Sequence, residues 1–315
     1  MYILGFDIGG TKCAVITAEW DGENIKLLKK DRCPTDHNAG AYAMIDKMMS
    51  MADGILDRKP DAIGISCGGP LDSKTGVIMS PPNLPEWDGI EIVKVLEEHY
   101  GVKAKLQNDA NACAVAEWKF GAGKGAENMA FLTFGTGLGA GLILGGRLYD
   151  GTNGNAGEIG HIRLASDGPV GYGKKGSFEG FCSGGGIAQL GVMKAREKVQ
   201  NGEYPMYFTP DMDESEINAK TIADAADMGD ETALDVYRTS GKYLGRGLSV
   251  LIDIINPEII VIGSIFARSS NLLAEAMQKE IDKEALSMSA KVCKVVPAEL
   301  GEKIGDYAAV ATALL

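Results

Sequence analysis

The chain has 315 residues, 45% of them hydrophobic, and a formal net charge of −12. That length can bury a large core and predicts two domains. The acidic balance excludes a nucleic-acid surface, which needs clustered positive charge. No apolar run reaches the roughly 18 residues of a membrane span, and a glycine turn begins too early for a signal peptide, so a cytoplasmic protein is expected.

In chain order, Tyr2–Phe6 and Cys13–Thr17 read as two strands of a hairpin across a glycine turn. Residues 40 to 57 carry helical periodicity through Tyr42, Ile45, Met48, Met49, Ala52 and Leu56. Ala62–Ser66 is a short buried strand ended by Gly68-Gly69-Pro70. Ile90–Tyr100 reads as an amphipathic helix, and Lys103–Gln107 as a strand that delivers Asn108 and Asp109 to a helix from Ala110 to Phe120. Strands alternating with helices imply an α/β architecture with substantially parallel pairing. Gly121–Gly125 is the expected joint between domains. Met129–Phe134 and Gly141–Leu144 then repeat the strand–glycine turn–strand pattern of the N-terminus. Residues 200 to 217, with Pro205, Pro210 and an acidic run, read as a surface excursion. Ala233–Val250 is helical, with close-packing points at Gly245 and Gly247, and Glu258–Ile262 is a strand. The last helix, about Asp306 to Leu314, is expected to pack back on the first domain. The boundaries are 1–120 plus the C-terminal helix at 303–315 for a smaller N-terminal α/β domain, and 121–302 for a larger C-terminal one. The six cysteines are scattered without a CxxC pair and read as reduced, packed thiols.

Two glycine-rich turns carry the first chemical signal. Gly5-Phe6-Asp7-Ile8-Gly9-Gly10-Thr11-Lys12 and Leu132-Thr133-Phe134-Gly135-Thr136-Gly137-Leu138-Gly139 each follow a strand and present backbone N–H groups plus a threonine hydroxyl. That chemistry suits phosphate oxygens, and two such turns in separate halves point to a cleft holding one nucleotide triphosphate. Neither turn fits the Walker pattern, and the spacing around residue 5 fails the GxGxxG fingerprint. Asp7 reads either as a Mg²⁺ holder beside phosphates or as a turn-stabilising carboxylate. Lys12 reads as a phosphate contact or as a strand-edge charge. Asn108-Asp109 sits at a strand-to-helix junction, where ligands of α/β sheets gather. There Asp109 is either a helix cap or the base that takes a proton from an attacking hydroxyl; the flanking glycine turns favour the base. Glu158 and His161, with Glu179 further on, are suited to gripping vicinal hydroxyls.

Together these segments resemble the ROK family. The resemblance runs from Asp7-Ile8-Gly9-Gly10-Thr11-Lys12 through Gly68-Gly69-Pro70, Asn83-Leu84-Pro85-Glu86-Trp87 and Gln107-Asn108-Asp109-Ala110-Asn111. It continues through the second glycine turn and Gly157-Glu158-Ile159-Gly160-His161 to Asn256-Pro257-Glu258-Ile259-Ile260-Val261-Ile262-Gly263. It implies a two-domain actin/hexokinase-like (ribonuclease H-like) fold closing over a hexose and ATP with Mg²⁺ near Asp7. Asp109 then corresponds to the general base for a sugar hydroxyl, usually the 6-OH. Gly68, Asn83, Asn108, Glu158, His161 and Glu179 correspond to sugar contacts. Gly9, Gly10, Thr11, Lys12, Gly135, Thr136 and Gly137 correspond to the phosphate turns, with Gly184, Gly185 and Gly263 near the adenosine. The implied activity is that of an ATP-dependent hexose kinase of the glucokinase type, acting on glucose, mannose, fructose or an N-acetylhexosamine. A sugar-sensing regulator is the alternative, and a homodimer is the expected assembly. Many ROK proteins carry CxCGxxGCxE after the GEIGH segment; here Val170, Tyr172 and Ser177 take the cysteine positions. No structural zinc is therefore expected, and the loop must be held by packing, through Tyr172 and Phe178.

Overall fold

A computed structural model describes residues 1–209 and 211–315 of the chain; Pro210 lies outside the described residues. Two compact units emerge: Met1–Glu127 with Gly141–Ala156 and Glu299–Leu315, and Asn128–Ala140 with Gly157–Ala298.

The first unit begins with β1 (Tyr2–Ile8), β2 (Lys12–Trp20) and β3 (Ile25–Pro34), then α1 (Ala41–Ile55) and β4 (Ala62–Cys67). A small sheet follows, β5 (Leu71–Asp72), β6 (Val77–Met79) and β7 (Asp88–Ile90), then α2 (Ile92–Tyr100), β8 (Ala104–Asn108) and α3 (Asp109–Phe120). The main sheet has the order β3–β2–β1–β4–β8. It is mixed rather than mainly parallel: β1, β2 and β3 pair antiparallel, while β1–β4 and β4–β8 are parallel. The connections decide this, since the short turns after β1 and β2 permit only hairpins, whereas α1 and α2 supply the crossovers that parallel neighbours need. The helix expected from Ile90 starts at Ile92, because Ile90 is spent pairing with Ile78 in the small sheet, where both are buried.

The second unit carries β9 (Met129–Phe134) and the start of β10 (Leu138–Ile143), whose last residues, from Gly141, belong with β11 (Leu148–Tyr149) to the first unit. β10 begins three residues before the expected Gly141, so the second glycine turn is tighter than its sequence implies. Then come β12 (Val170–Gly171), β13 (Lys174–Lys175), α4 (Phe178–Phe181), α5 (Gly184–Gln200), α6 (Ala219–Asp227) and α7 (Glu231–Ile255). β14 (Ile259–Ile262), α8 (Ile265–Glu284), α9 (Ser287–Val292) and β15 (Lys294–Pro297) complete the unit, and α10 (Ile304–Thr312) returns to the first. The second sheet has the order β11–β10–β9–β14–β15, with β14 parallel to both β9 and β15. Helices α7 and α8 approach closely at Gly241 and Gly245, where a Cβ would meet the Leu273 carbonyl at 2.6 Å and the Glu280 Cβ at 2.8 Å. The excursion at 200–217 is pinned by buried Tyr207, whose hydroxyl donates to the Gly191 carbonyl at 3.0 Å, and by buried Ile217.

Two clusters flank the first sheet. One face packs Phe6, Val15, Ile63, Ile65 and Leu106 against α1 and α2 through Met44, Ile45, Met48, Ile92 and Leu96. The other packs Ile3, Ala14, Ile16 and Ala18 against Ala309, Val310 and Ala313 of the last helix. That helix is rich in alanine because it lies almost on the sheet backbone. A Cβ on Gly5 would stand 2.9 Å from Val310 Cγ1, and one on Gly64 would overlap the Ala309 carbonyl. At the C-terminal end of α3, Glu117 is 0% exposed, and its carboxylate accepts from the N–H groups of Ala122 (2.9 Å), Leu300 (2.9 Å) and Glu299 (3.3 Å). The glycine run read as a joint is thereby tied to α3, and charged-acceptor bonds of this kind offset the desolvation of a buried carboxylate.

Gly64→Ala is expected to destabilise the protein by roughly 2–3 kcal/mol through overpacking against rigid backbone. In Gly54→Ala, where a Cβ would meet nothing within 4 Å on α1, a gain of up to about 1 kcal/mol is expected. Urea denaturation of both variants checks the pair, and equal effects would refute this account of α10.

Candidate active site

In the first unit the β1–β2 hairpin closes on Gly9, Gly10 and Thr11. The Gly9 N–H donates to the Lys12 carbonyl at 3.1 Å, and the Thr35 hydroxyl donates back to the Gly9 carbonyl at 2.6 Å. Thr11 and Lys12 are exposed at the turn. Gly10 lies against the segment bearing Asn83, where a Cβ would meet the Asn83 carbonyl oxygen at 2.5 Å. β4 and β8 run parallel with Cys67 opposite Asn108. Gly68 therefore leaves one strand end beside the residue that leaves the other. Asn108 caps α3, its side chain accepting from the Ala110 N–H at 3.0 Å, and Asp109 occupies the first helical turn. The cap expected of Asp109 is supplied instead by the residue before it. Asn108 is the cap, and Asp109, exposed at the positive end of the helix, also accepts the Ala110 N–H on its Oδ1 at 2.8 Å. Gly141 seats α3 from below, since a Cβ there would meet the Ala114 Cβ at 2.5 Å.

Asp7, near the end of β1, has its carboxyl pushed up to about 6, first by burial, then by the negative charges of Asp306 and, more weakly, Asp109, with Lys30 and Lys12 opposing. Asp306 is 7% exposed and ion-paired to Lys30 at 2.5 Å. Asp7 also sits against Gly305, whose Cβ would stand 2.9 Å from its Oδ2. Burial and like charge both disfavour the carboxylate.

In the second unit the other glycine turn is closed by the Gly135 N–H donating to the Gly137 carbonyl at 3.1 Å. The Thr133 hydroxyl accepts from the Gly139 N–H at 2.9 Å. Thr136 is exposed at the tip. The N-terminus of α5 docks here: Gly184 N–H donates to the Gly135 carbonyl at 2.7 Å, and Ser183 caps the helix by accepting from Gly186 N–H at 3.0 Å. Gly185 has open space around its α-carbon. Gly263, at the end of β14, bonds to the Leu132 carbonyl at 2.9 Å. Next to it Ser264 adopts φ 53° and ψ −112°, with its Oγ 3.5 Å from where a Gly135 Cβ would be. Strain of this kind on a non-glycine residue gathers at functional sites.

Glu158 and His161 bracket a single helical turn, Ile159–His161. Glu179 lies in the first turn of α4, and its Oε2 accepts the Leu138 N–H at 3.0 Å, so this carboxylate is joined to the nucleotide-type turn. Val170, Tyr172 and Ser177 stand on or beside the β12–β13 hairpin, and none offers a thiolate, imidazole or carboxylate. Cys182 is buried with its thiol donating to the Ser240 carbonyl at 3.4 Å. These residues do not fit a tetrahedral zinc. Among the described residues no three His, Cys, Asp or Glu side chains converge to hold a metal. Phe178 is fully buried in a niche left by Gly247 of α7, and Tyr172 meets the His161 ring edge-on, centroids 4.9 Å apart.

The fold and these turns define a ROK-type, actin/hexokinase-like protein of two α/β units. The ROK family profile matches residues 3–314, so the chain belongs to the ROK family. A glucokinase of Streptomyces coelicolor is 32% identical over 308 residues, covering 96% of this chain and 94% of that protein. The crystal structure of a ROK glucokinase from Streptomyces griseus, in complex with glucose and AMPPNP, superposes with a TM-score of 0.79 at 29% identity, covering 100% of this chain and 99% of that one. A putative xylose repressor of Caldicellulosiruptor is 27% identical, with 90% of this chain and 70% of that protein covered. Among the described residues no helix is long and apolar enough to cross a membrane.

The first unit thus gathers Asp7, Gly9, Gly10, Thr11, Lys12, Gly68, Asn83, Asn108 and Asp109. The second gathers Gly135, Thr136, Gly137, Glu158, His161, Glu179, Gly184, Gly185 and Gly263. Sequence reasoning missed Thr35, Lys30 and Asp306, and Ser264. Only Asp306 left a signal, as the one charge in the apolar run from Ile304 to Leu315.

Because the native carboxyl of Asp7 titrates near 6 against 3.8 as its ordinary value, the folded state holds the proton more tightly. Asp7 therefore costs no stability below about pH 4, and the cost grows as pH rises, complete above pH 6 at roughly 3 kcal/mol. In metal-free buffer, Asp7→Asn is expected to be about as stable as wild type at pH 4 and roughly 2–3 kcal/mol more stable at pH 7.5. Urea denaturation at both pH values checks this, and a pH-independent difference would refute it.

Proposed function

We propose that this chain transfers the γ-phosphoryl group of ATP to a hydroxyl of a hexose, the 6-OH of glucose or a close relative, with Asp109 as general base. The observation that carries the reading is the position of Asp109. It stands in the first turn of α3 at the carboxyl end of a parallel strand, in the same unit as the first glycine turn and within the electrostatic reach of Asp7. The similarity to glucokinases over nearly the whole chain supports the hexose.

Phosphoryl transfer asks the protein mainly for positioning and charge stabilisation. Gly9, Gly10, Thr11 and Lys12 in the first unit, and Gly135, Thr136 and Gly137 in the second, receive phosphate oxygens. The N-terminus of α5 at Gly184 and Gly185, with Gly263 and Ser264, borders the nucleoside. Asn83, Asn108, Glu158, His161 and Glu179 hold sugar hydroxyls, with Gly68 leaving room for the ring. Asp109 accepts the proton of the attacking hydroxyl as the new O–P bond forms and the bond from the γ-phosphorus to its bridging oxygen breaks, releasing ADP. Asp7, an oxygen donor disfavoured as a lone anion, would hold Mg²⁺ directly or through water together with the phosphates, which explains why three protein ligands need not converge. The ion, when bound, neutralises charge on the phosphates.

The similarity to a xylose repressor keeps a second reading, a sensor that binds sugar without turnover. An ADP-release assay across glucose, mannose, fructose and N-acetylhexosamines separates the two. Turnover with at least one hexose is expected, and sugar binding without turnover would leave the sensor. Asp109→Asn is expected to lower kcat by about 10²–10⁴-fold while sugar binding, followed by thermal shift, is kept. An Asp109→Asn variant with near-normal turnover would remove the residue from its role.

A further inference from the structure

β12 and β13 are two residues each, paired only as Val170 with Lys175 and Gly171 with Lys174. A hairpin this small does not hold itself in water, and the side chains at its cysteine-equivalent positions do not fit a metal. Its outer edge is instead paired by a side chain. Gln189, in the second turn of α5, donates its Nε2 to the Val170 carbonyl and accepts the Val170 N–H on Oε1, both at 2.9 Å. A carboxamide offers one donor and one acceptor face side by side, so Gln189 completes the β12 edge as a neighbouring strand would. The inner face is fixed by backbone approach, since a Cβ on Gly171 would meet the Gly180 nitrogen at 2.5 Å and the Glu179 Cβ at 2.8 Å. Lys174, paired with Gly171 beside the tip, ties the hairpin to the segment before it, its Nζ donating to the His161 carbonyl at 2.7 Å.

At the tip stands Tyr172, 69% exposed and with φ 43°. An aromatic residue in the left-handed region is rare and costs free energy, and burial does not repay this one. What the conformation achieves is the edge-on contact with His161, 78° between planes at 4.9 Å. Such a contact restricts how the imidazole turns about its side-chain bonds.

We propose that Tyr172 is a positioning residue that orients His161 toward the sugar, on a hairpin locked by Gln189 rather than by zinc. The proposal rests on the kinase reading for the identity of the ligand, though not for the lock itself. On this basis, a sugar first meets a preset imidazole, and removing the ring weakens sugar binding without touching the phosphoryl-transfer group.

The test uses the full-length protein, dialysed against EDTA and checked for zinc by elemental mass spectrometry. Hydrogen exchange over residues 168–177 should be the same before and after chelation, and faster in Gln189→Ala. Tyr172→Ala should raise KM for the preferred hexose about 10-fold, the size of one weakened hydrogen bond, with kcat within about 3-fold. Tyr172→Phe, which keeps the ring edge, should restore KM to near wild type. The hexose-induced thermal shift should fall in Tyr172→Ala and return in Tyr172→Phe. Stoichiometric zinc whose removal speeds exchange would overturn the lock, as would unchanged exchange in Gln189→Ala. An unchanged KM and thermal shift in Tyr172→Ala would overturn the positioning role. Wild-type protein that phosphorylates no hexose would sink the kinase reading alone, because exchange and thermal shift still report on the hairpin and on sugar binding.

Discussion

Contact of backbone with backbone is the constraint on which the second unit depends. Around Glu158, His161 and Glu179 the chain passes itself so closely that side chains are excluded. A Cβ on Gly157 would overlap the Ala140 carbonyl, one on Gly160 the Leu138 carbonyl, one on Gly180 the Pro169 carbonyl, and one on Gly186 the Gly180 carbonyl. Each of these is a fixed distance between two peptide planes, with no flexible atom to give way. The carboxylates and the imidazole therefore inherit their positions from β10 and α5. In the first unit the same device seats α10 on the sheet through Gly5 and Gly64, and Gly141 under α3.

Electrostatics is arranged on top of this frame. Asp7 is kept as an unfavourable anion by burial and by Asp306 and Asp109, with Lys30 engaged by Asp306. Such a group lowers the stability of the fold at neutral pH. Glu117 shows the opposite treatment. Its carboxylate is fully removed from water, yet three N–H groups receive it, and it holds chain segments that are 182 and 183 residues away from it in sequence.

What could be read from the sequence was local. Strand–turn–helix junctions, the helical periodicity of residues 41–55 and the glycine turns depend on neighbours in the chain, and the structure places them within a few residues of expectation. Asn108 and Asp109 were legible because a cap and an adjacent carboxylate are written in consecutive letters. The β5–β6–β7 sheet was not, since three strands of two or three residues leave no period to count. Neither was the service of Lys30 to Asp306, or of Gln189 to Val170, because each joins elements whose proximity only the fold creates. Ser264 escaped for a different reason: backbone strain has no signature in residue type.

Helix α5 gives its first turn to the Gly135 turn, through the Gly184 N–H, and five residues later gives Gln189 to Val170. A helix of this length is stiff on the scale of those contacts, so one rod anchors both the Gly135 turn and the β12–β13 hairpin. The spacing between the second glycine turn and the hairpin that carries Tyr172 is therefore set by a single element.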